Sequence, residues 1–151
     1  MEELKQGIIF RLASLKETFP PGSPRLNAAH FELSENDRLD GERKGRSPLL
    51  SVFDGERTHV EEALHIRGVA AESAAYAVRV EEIRNIRVTG LSRSLRVLRD
   101  PLEAPLADLP GAEGHCGIEG LDRRTGEEKR LYRELRVLLA DASFRYQDGM
   151  Q

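Results

Sequence analysis

Residues 47–68 read Ser-Pro-Leu-Leu-Ser-Val-Phe-Asp-Gly-Glu-Arg-Thr-His-Val-Glu-Glu-Ala-Leu-His-Ile-Arg-Gly and crowd Asp54, Glu56, His59, Glu62 and His65 behind a short apolar run. Carboxylates and imidazoles at the end of a strand could hold a metal or form a general acid/base set. The spacing opposes both. Two zinc-binding histidines on a helix belong at i and i+4, whereas His59 and His65 are six positions apart, about 120° out of line at ~100° per residue. Glu62 lies near both but is a single carboxylate between divergent rings. We therefore read the stretch as a strand turning into a capped helix with a solvated face.

The second candidate is Gly114-His115-Cys116-Gly117, where glycines admit a close approach and His beside Cys offers a base and a nucleophile. Adjacent residues of an extended segment point to opposite faces, so His115 and Cys116 cannot readily act on each other. Cys116 reads as a small buried hydrophobe, and His115 as exposed or bonded to the Pro-rich loop before it. The catalytic alternative pairs His115 with His30 or His59, and no spacing in the chain supports that convergence. His115, His59 and Glu56 are the candidate catalytic residues.

A third group is the series Arg79, Arg84, Arg87, Arg93, Arg96 and Arg99, opposed locally by Glu81 and Glu82. It could bind phosphates. On a strand, however, Arg96 shares a face with Ser94 and Leu98, and Arg99 with Leu95 and Val97, which leaves no clean basic face. The nearest aromatic residue is Tyr76, so bases would find no stacking platform, and nucleic acid is not expected as a partner. Fourth, Phe144 and Tyr146 flank Arg145 after the last apolar helix position. They either close the core or face a partner. Arg96, Arg99, Phe144 and Tyr146 are the candidate binding residues. No GxGxxG, phosphate loop, GxSxG, HExxH or paired CxxC motif occurs, and no metal or cofactor is expected.

These residues must be positioned by short elements. Residues 7–12 read as a buried strand, although Leu4, Ile8, Leu12, Leu15 and Phe19 also recur at helical spacing; Gly7 weakens the helical alternative. Pro20-Pro21-Gly22-Ser23-Pro24 excludes regular structure. Residues 34–46 are nearly all charge, Gly and Asn, with only Leu39 to bury, and read as a mobile charged loop. Residues 48–53 form a strand that Asp54-Gly55 ends. Thr58 and Glu61 have capping-box spacing before a helix over 58–68 that Gly68 terminates.

Further strands are expected over 75–80 and 95–98, with a turn or short helix over 81–86 between them and Asp100-Pro101 as a stop. A last short strand is expected within 114–120. Thr125 and Glu128 again have capping-box spacing, and Leu131, Leu135, Leu138, Leu139 and Ala142 make one apolar stripe on a C-terminal helix. The pattern is a single α+β domain over 1–151: a small mixed or antiparallel sheet of short strands with two or three packed helices.

Composition bounds the rest. A chain of 151 residues suits one core, and with 39% hydrophobic but only 5% aromatic residues that core must be mostly aliphatic. The formal net charge of −3, from 23 basic and 26 acidic residues, supplies no global attraction for a polyanion. Nineteen of the basic residues are Arg, which fits either a GC-rich genome or a use for planar donors. The lone Cys116, the acidic start Met1-Glu2-Glu3 and the lack of a long apolar run point to a cytoplasmic, bacterial-type protein with no membrane partner. The reading is a non-catalytic protein-binding or adaptor module acting on another protein or a second copy of itself. The alternative is a small hydrolase or nuclease using His115 with a second His or a carboxylate and an Arg-lined phosphate site.

Overall fold

The computed structural model describes residues 1–18, 20–68 and 72–150. Phe19, the last member of the helical spacing weighed for the N-terminal segment, lies outside the described residues. Among the described residues there are seven strands: β1 (Glu3–Leu4), β2 (Ile8–Ser14), β3 (Leu49–Asp54), β4 (Ser73–Arg79), β5 (Arg96–Arg99), β6 (His115–Glu119) and β7 (Phe144–Tyr146). They form one antiparallel sheet in the order β1-β5-β6-β3-β2-β4-β7. Four helices accompany it: α1 (Glu35–Lys44), α2 (Val60–Arg67), α3 (Val80–Asn85) and α4 (Lys129–Ala142). The chain is thus a single α+β domain, with four α-helices among the described residues where its sequence suggested two or three.

The extra helix is α1, where a charged loop was expected. It has almost no apolar face, and only Gly41 is buried. Its ends are specified locally. The Ser34 hydroxyl accepts from Asp37 N–H while the Asp37 carboxylate accepts from Ser34 N–H, and Gly45 closes the helix at φ 65°. Lys44 and Arg46, both also paired with Asp40 of the helix itself, then anchor it to Asp100, with Lys44 also 3.3 Å from Glu103. Capping and ion pairs thus do here what an apolar stripe does elsewhere.

Two other helix starts differ from expectation by a residue or more. Helix α2 is capped at His59, whose N–H donates to Glu62 Oε1 at 2.8 Å. The Thr58 hydroxyl is used elsewhere, donating to Gly111 O at 2.6 Å and tying the turn to the Pro-rich loop. Helix α4 starts after Glu128, and no Thr125–Glu128 box forms. Arg124 N–H and the Tyr132 hydroxyl instead converge on the neighbouring Glu127.

One face of the sheet carries Ile9, Leu50, Val52, Tyr76, Val78, Val97, Cys116 and Ile118 against Leu131, Tyr132, Leu135 and Leu139 of α4, forming the larger core. Leu138 and Ala142 sit at its margin, half-buried. On the other face Phe10 stacks between Phe53 and Tyr146, at centroid distances of 5.7 and 5.2 Å, and α2 contributes Ala63 with Val60 and Ile66. The two faces are therefore unequal, and the smaller core leaves room for polar side chains near β3.

Candidate functional site

That room opens where β2 and β3 part. The two strands pair only at Ile9–Asp54 and Phe10–Phe53, whereas β2 pairs with β4 along its whole length. Beyond Phe10 the ladder stops, and Arg11 Nη1 donates to the Ser51 carbonyl oxygen at 2.5 Å. The backbone acceptor is satisfied by a side chain where a neighbouring strand is missing. A cleft of about 380 Å³ results, lined by Arg11, Ser34, Asp37, Ser51, Phe53 and Arg67 among others.

Ser51, Phe53 and His115 share one face, because Ser51 pairs with Gly117 and Phe53 with His115 across β3 and β6. The Ser51 Oγ lies 2.5 Å from His115 Nε2, and Arg67 Nη2 reaches the same oxygen at 2.5 Å from the C-terminal end of α2. His115 Nδ1 lies 2.7 Å from the carbonyl oxygen of Asp100. Phe53 meets the imidazole edge-on, at 5.4 Å and 80°. Arg46 Nη2 holds the Asp100 carboxylate at 2.9 Å, so α1 and its C-terminal flank steady the backbone that His115 uses.

The electrostatics of this cleft are unbalanced. Burial lowers Arg11 to about 10, with the neighbouring Arg67 charge adding to the effect and Asp37 opposing it. Burial likewise lowers Arg67, again opposed only by Asp37. Both remain protonated at neutral pH, yet among the described residues neither has a carboxylate within ion-pair distance. The Asp37 carboxylate is meanwhile occupied by its cap. His115 is lowered chiefly by burial, against the backbone bond and charge of Asp100, so its neutral form prevails.

The sequence-derived candidates fall at scattered places. His115 is in this cluster, and its neighbours there are Ser51 and Asp100 rather than another histidine. His59 caps α2 with its side chain 75% exposed and 3.9 Å from Asp148. His30 Nδ1 accepts from Asn27 N–H at 3.1 Å. Glu56 is exposed and lines a larger cavity of about 560 Å³ with Arg79, Glu81 and Tyr146. That cavity exceeds the cleft in size, but its acidic residues outnumber Arg79 and no activated pair lies in it.

Arg96 is paired with Glu119 at 2.7 Å and Arg99 with Asp54 at 3.0 Å. Phe144 and Tyr146 form β7 and close the smaller core, with Arg79 over the Phe144 ring at 4.9 Å. Cys116 points to the opposite face from His115, fully buried, with its thiol pushed up to about 12 by burial and by Asp54. Such a thiol is inert.

Sequence reasoning missed Ser51, Arg67 and Arg11. Ser51 sits in an apolar strand and Arg67 in a charged helix, where nothing local distinguishes them. The one local hint is Arg11, a charge inside the run Ile-Ile-Phe-Arg-Leu-Ala. Among the described residues no three His, Cys, Asp or Glu side chains converge to hold a metal, and no helix is long and apolar enough to cross a membrane.

The fold and cleft define a small α+β domain with a cationic pocket beside a Ser–His pair. Comparison with protein-family models, curated proteins and solved structures finds no match.

Proposed function

We propose that the chain is a binding module that captures a compact oxyanion, a phosphate or a carboxylate presented by a partner protein, in the cleft between β2 and β3. One observation carries this reading: Arg11 and Arg67 converge on a cavity of about 380 Å³ without an ion-pair partner there. Two desolvated cations that repel each other gain from an anion between them, and guanidinium forks fit planar or tetrahedral oxygens. In a chain of net charge −3 such a local site also selects its ligand, because the remaining surface repels anions.

The experiment is calorimetric titration with inorganic phosphate and, separately, succinate. Saturable binding that weakens with salt and falls at least about tenfold in Arg67→Gln and in Arg11→Gln supports the reading. The stronger of the two ligands identifies the oxyanion. No saturable binding of either anion, or binding unaltered in the double variant, refutes it. A second reading, a small hydrolase, is favoured by the hydrogen bond between Ser51 and His115.

A further inference from the structure

The protons of the Ser51–His115 pair can be assigned from its partners. The Asp100 carbonyl oxygen is an acceptor only, so the His115 Nδ1 facing it at 2.7 Å carries a hydrogen. In a neutral ring Nε2 is then a bare acceptor, and the Ser51 hydroxyl 2.5 Å away donates to it. Arg67 donates to the same Oγ from the other side. The oxygen therefore has a base poised for its proton and a cation poised for the negative charge that follows. A nucleophile, a base within hydrogen-bond reach and a third group orienting the base are the parts of covalent catalysis. Ser51 also lines the cleft with Arg11 and Arg67, and its Oγ is bonded to the Arg67 guanidinium there, which places the hydroxyl beside a bound group.

We propose that Ser51 is a nucleophile, with His115 as its general base, toward a phosphate monoester held in the cleft by Arg11 and Arg67. The proposal rests on the oxyanion-cleft reading for its choice of substrate. Ser51 Oγ forms a bond to phosphorus as its proton passes to His115 Nε2, and the bond from phosphorus to the ester oxygen breaks. The departing alkoxide takes the proton from Nε2 and leaves as the alcohol. Water then attacks the phosphoseryl group and gives a proton to Nε2. The bond between phosphorus and Oγ breaks, and Ser51 recovers its proton from His115 as inorganic phosphate is released. No redox change occurs, and water is the only co-reactant. Arg67 stabilises Oγ as charge develops there, and Arg11 offers donors to the phosphoryl oxygens.

The test separates the nucleophile from the anion cleft by using a neutral probe. The full chain is incubated with diisopropyl fluorophosphate, which needs an activated hydroxyl but carries no charge for the arginines. The expected product is one adduct, with fluoride lost, on Ser51 in the tryptic peptide spanning 47–57, and none in Ser51→Ala. His115→Gln should slow labelling by about 100-fold or more. In the parent protein the rate should fall only below the ordinary imidazole range, since burial and the charges of Arg67 and Lys44 disfavour the imidazolium more than Asp100 favours it.

Turnover of p-nitrophenyl phosphate, lost in Ser51→Ala and in Arg67→Gln, then tests the substrate class. Absence of the Ser51 adduct, or labelling indifferent to His115→Gln in a folded variant, overturns the nucleophile. None of these results touches phosphate binding by calorimetry. Conversely, labelling that requires His115 in a protein that binds no phosphate overturns the oxyanion cleft and the monoester, and leaves the pair itself standing.

Discussion

The Arg99 guanidinium reaches over β6 from β5 to meet the Asp54 carboxylate of β3 at 3.0 Å, on the face that also buries Cys116. The other Asp54 oxygen accepts from Glu56 N–H at 2.9 Å, and the carboxylate is almost fully enclosed. Removing Arg99 leaves that charge buried without its counter-ion. Arg99→Ala should therefore destabilise the fold by about 3–5 kcal/mol, while the double variant with Asp54→Leu should recover much of the loss. Urea midpoints of the two variants and the parent measure this, and a parental midpoint for Arg99→Ala would show that the pair contributes nothing.

Helix α4 makes a graded test of the larger core. Leu135 and Leu139 are buried, so Leu135→Ala and Leu139→Ala should each lose about 2–4 kcal/mol. Leu138 is only half-buried, and Leu138→Ala should lose less than either. Equal losses at all three positions would mean that the helix is rotated from the orientation described.

The two cleft arginines should separate stability from binding. Arg67→Gln removes a repelling, desolvated charge while Ser51 keeps its bond to His115, so thermal stability should stay level or rise as phosphate binding is lost. Arg11→Gln removes the donor to the Ser51 carbonyl, an unmade bond worth about 1–3 kcal/mol, so it should lower both. Melting curves that fall equally for the two variants would contradict this division.

Acid should weaken the fold in two windows. His115 and His30 are both held below the ordinary value of 6.5, mainly by burial. The unfolded chain therefore binds more protons, and stability decreases as pH falls below about 6.5. Around His115 the charges of Arg67 and Lys44 act with burial and that of Asp100 against it, and around His30 Arg11 acts with burial and Glu17 against it. Asp40 is lowered from 3.8 by its bonds to Arg43 and Lys44, which outweigh its desolvation. Its contribution is present above that value and lost below it, which makes the second window. Urea midpoints unchanged between about pH 7 and pH 5 would remove the first.

Helix α1 is fastened by charge, so salt should loosen it selectively. Trypsin should cut at Arg38, Arg43, Lys44 or Arg46 faster in about 1 M salt than in about 0.05 M, as the pairs to Asp100 and Glu103 are screened. Sites within α4, whose anchoring is apolar, should not follow. A salt-independent cleavage pattern would show that capping alone holds α1.

Periodicity in the sequence determined most of the elements, because apolar spacing is a local property and the partner of an apolar face need only be apolar. The strands near 8–12, 48–53, 75–80, 95–98 and 115–119, the helix ending at Gly68 and the stripe of α4 were legible in this way. Helix α1 escaped because its composition lacks an apolar face. Its local signals, the Ser34-to-Asp37 cap spacing and Gly45, were present, but Asp100 and Glu103, which fasten it, lie far along the chain. His115 could be suspected from its glycine neighbours alone. Its neighbourhood could not, since Ser51 and His115 are 64 positions apart and Arg11 and Ser51 are 40 apart. Antiparallel pairing of β3 with β6 sets the first contact, and the early end of the β2–β3 ladder sets the second. Hydrogen bonds between single polar side chains leave no periodic trace in a sequence, so only the folded register could bring Ser51, Arg11 and Arg67 to one cleft with His115 bonded to Ser51 beside it.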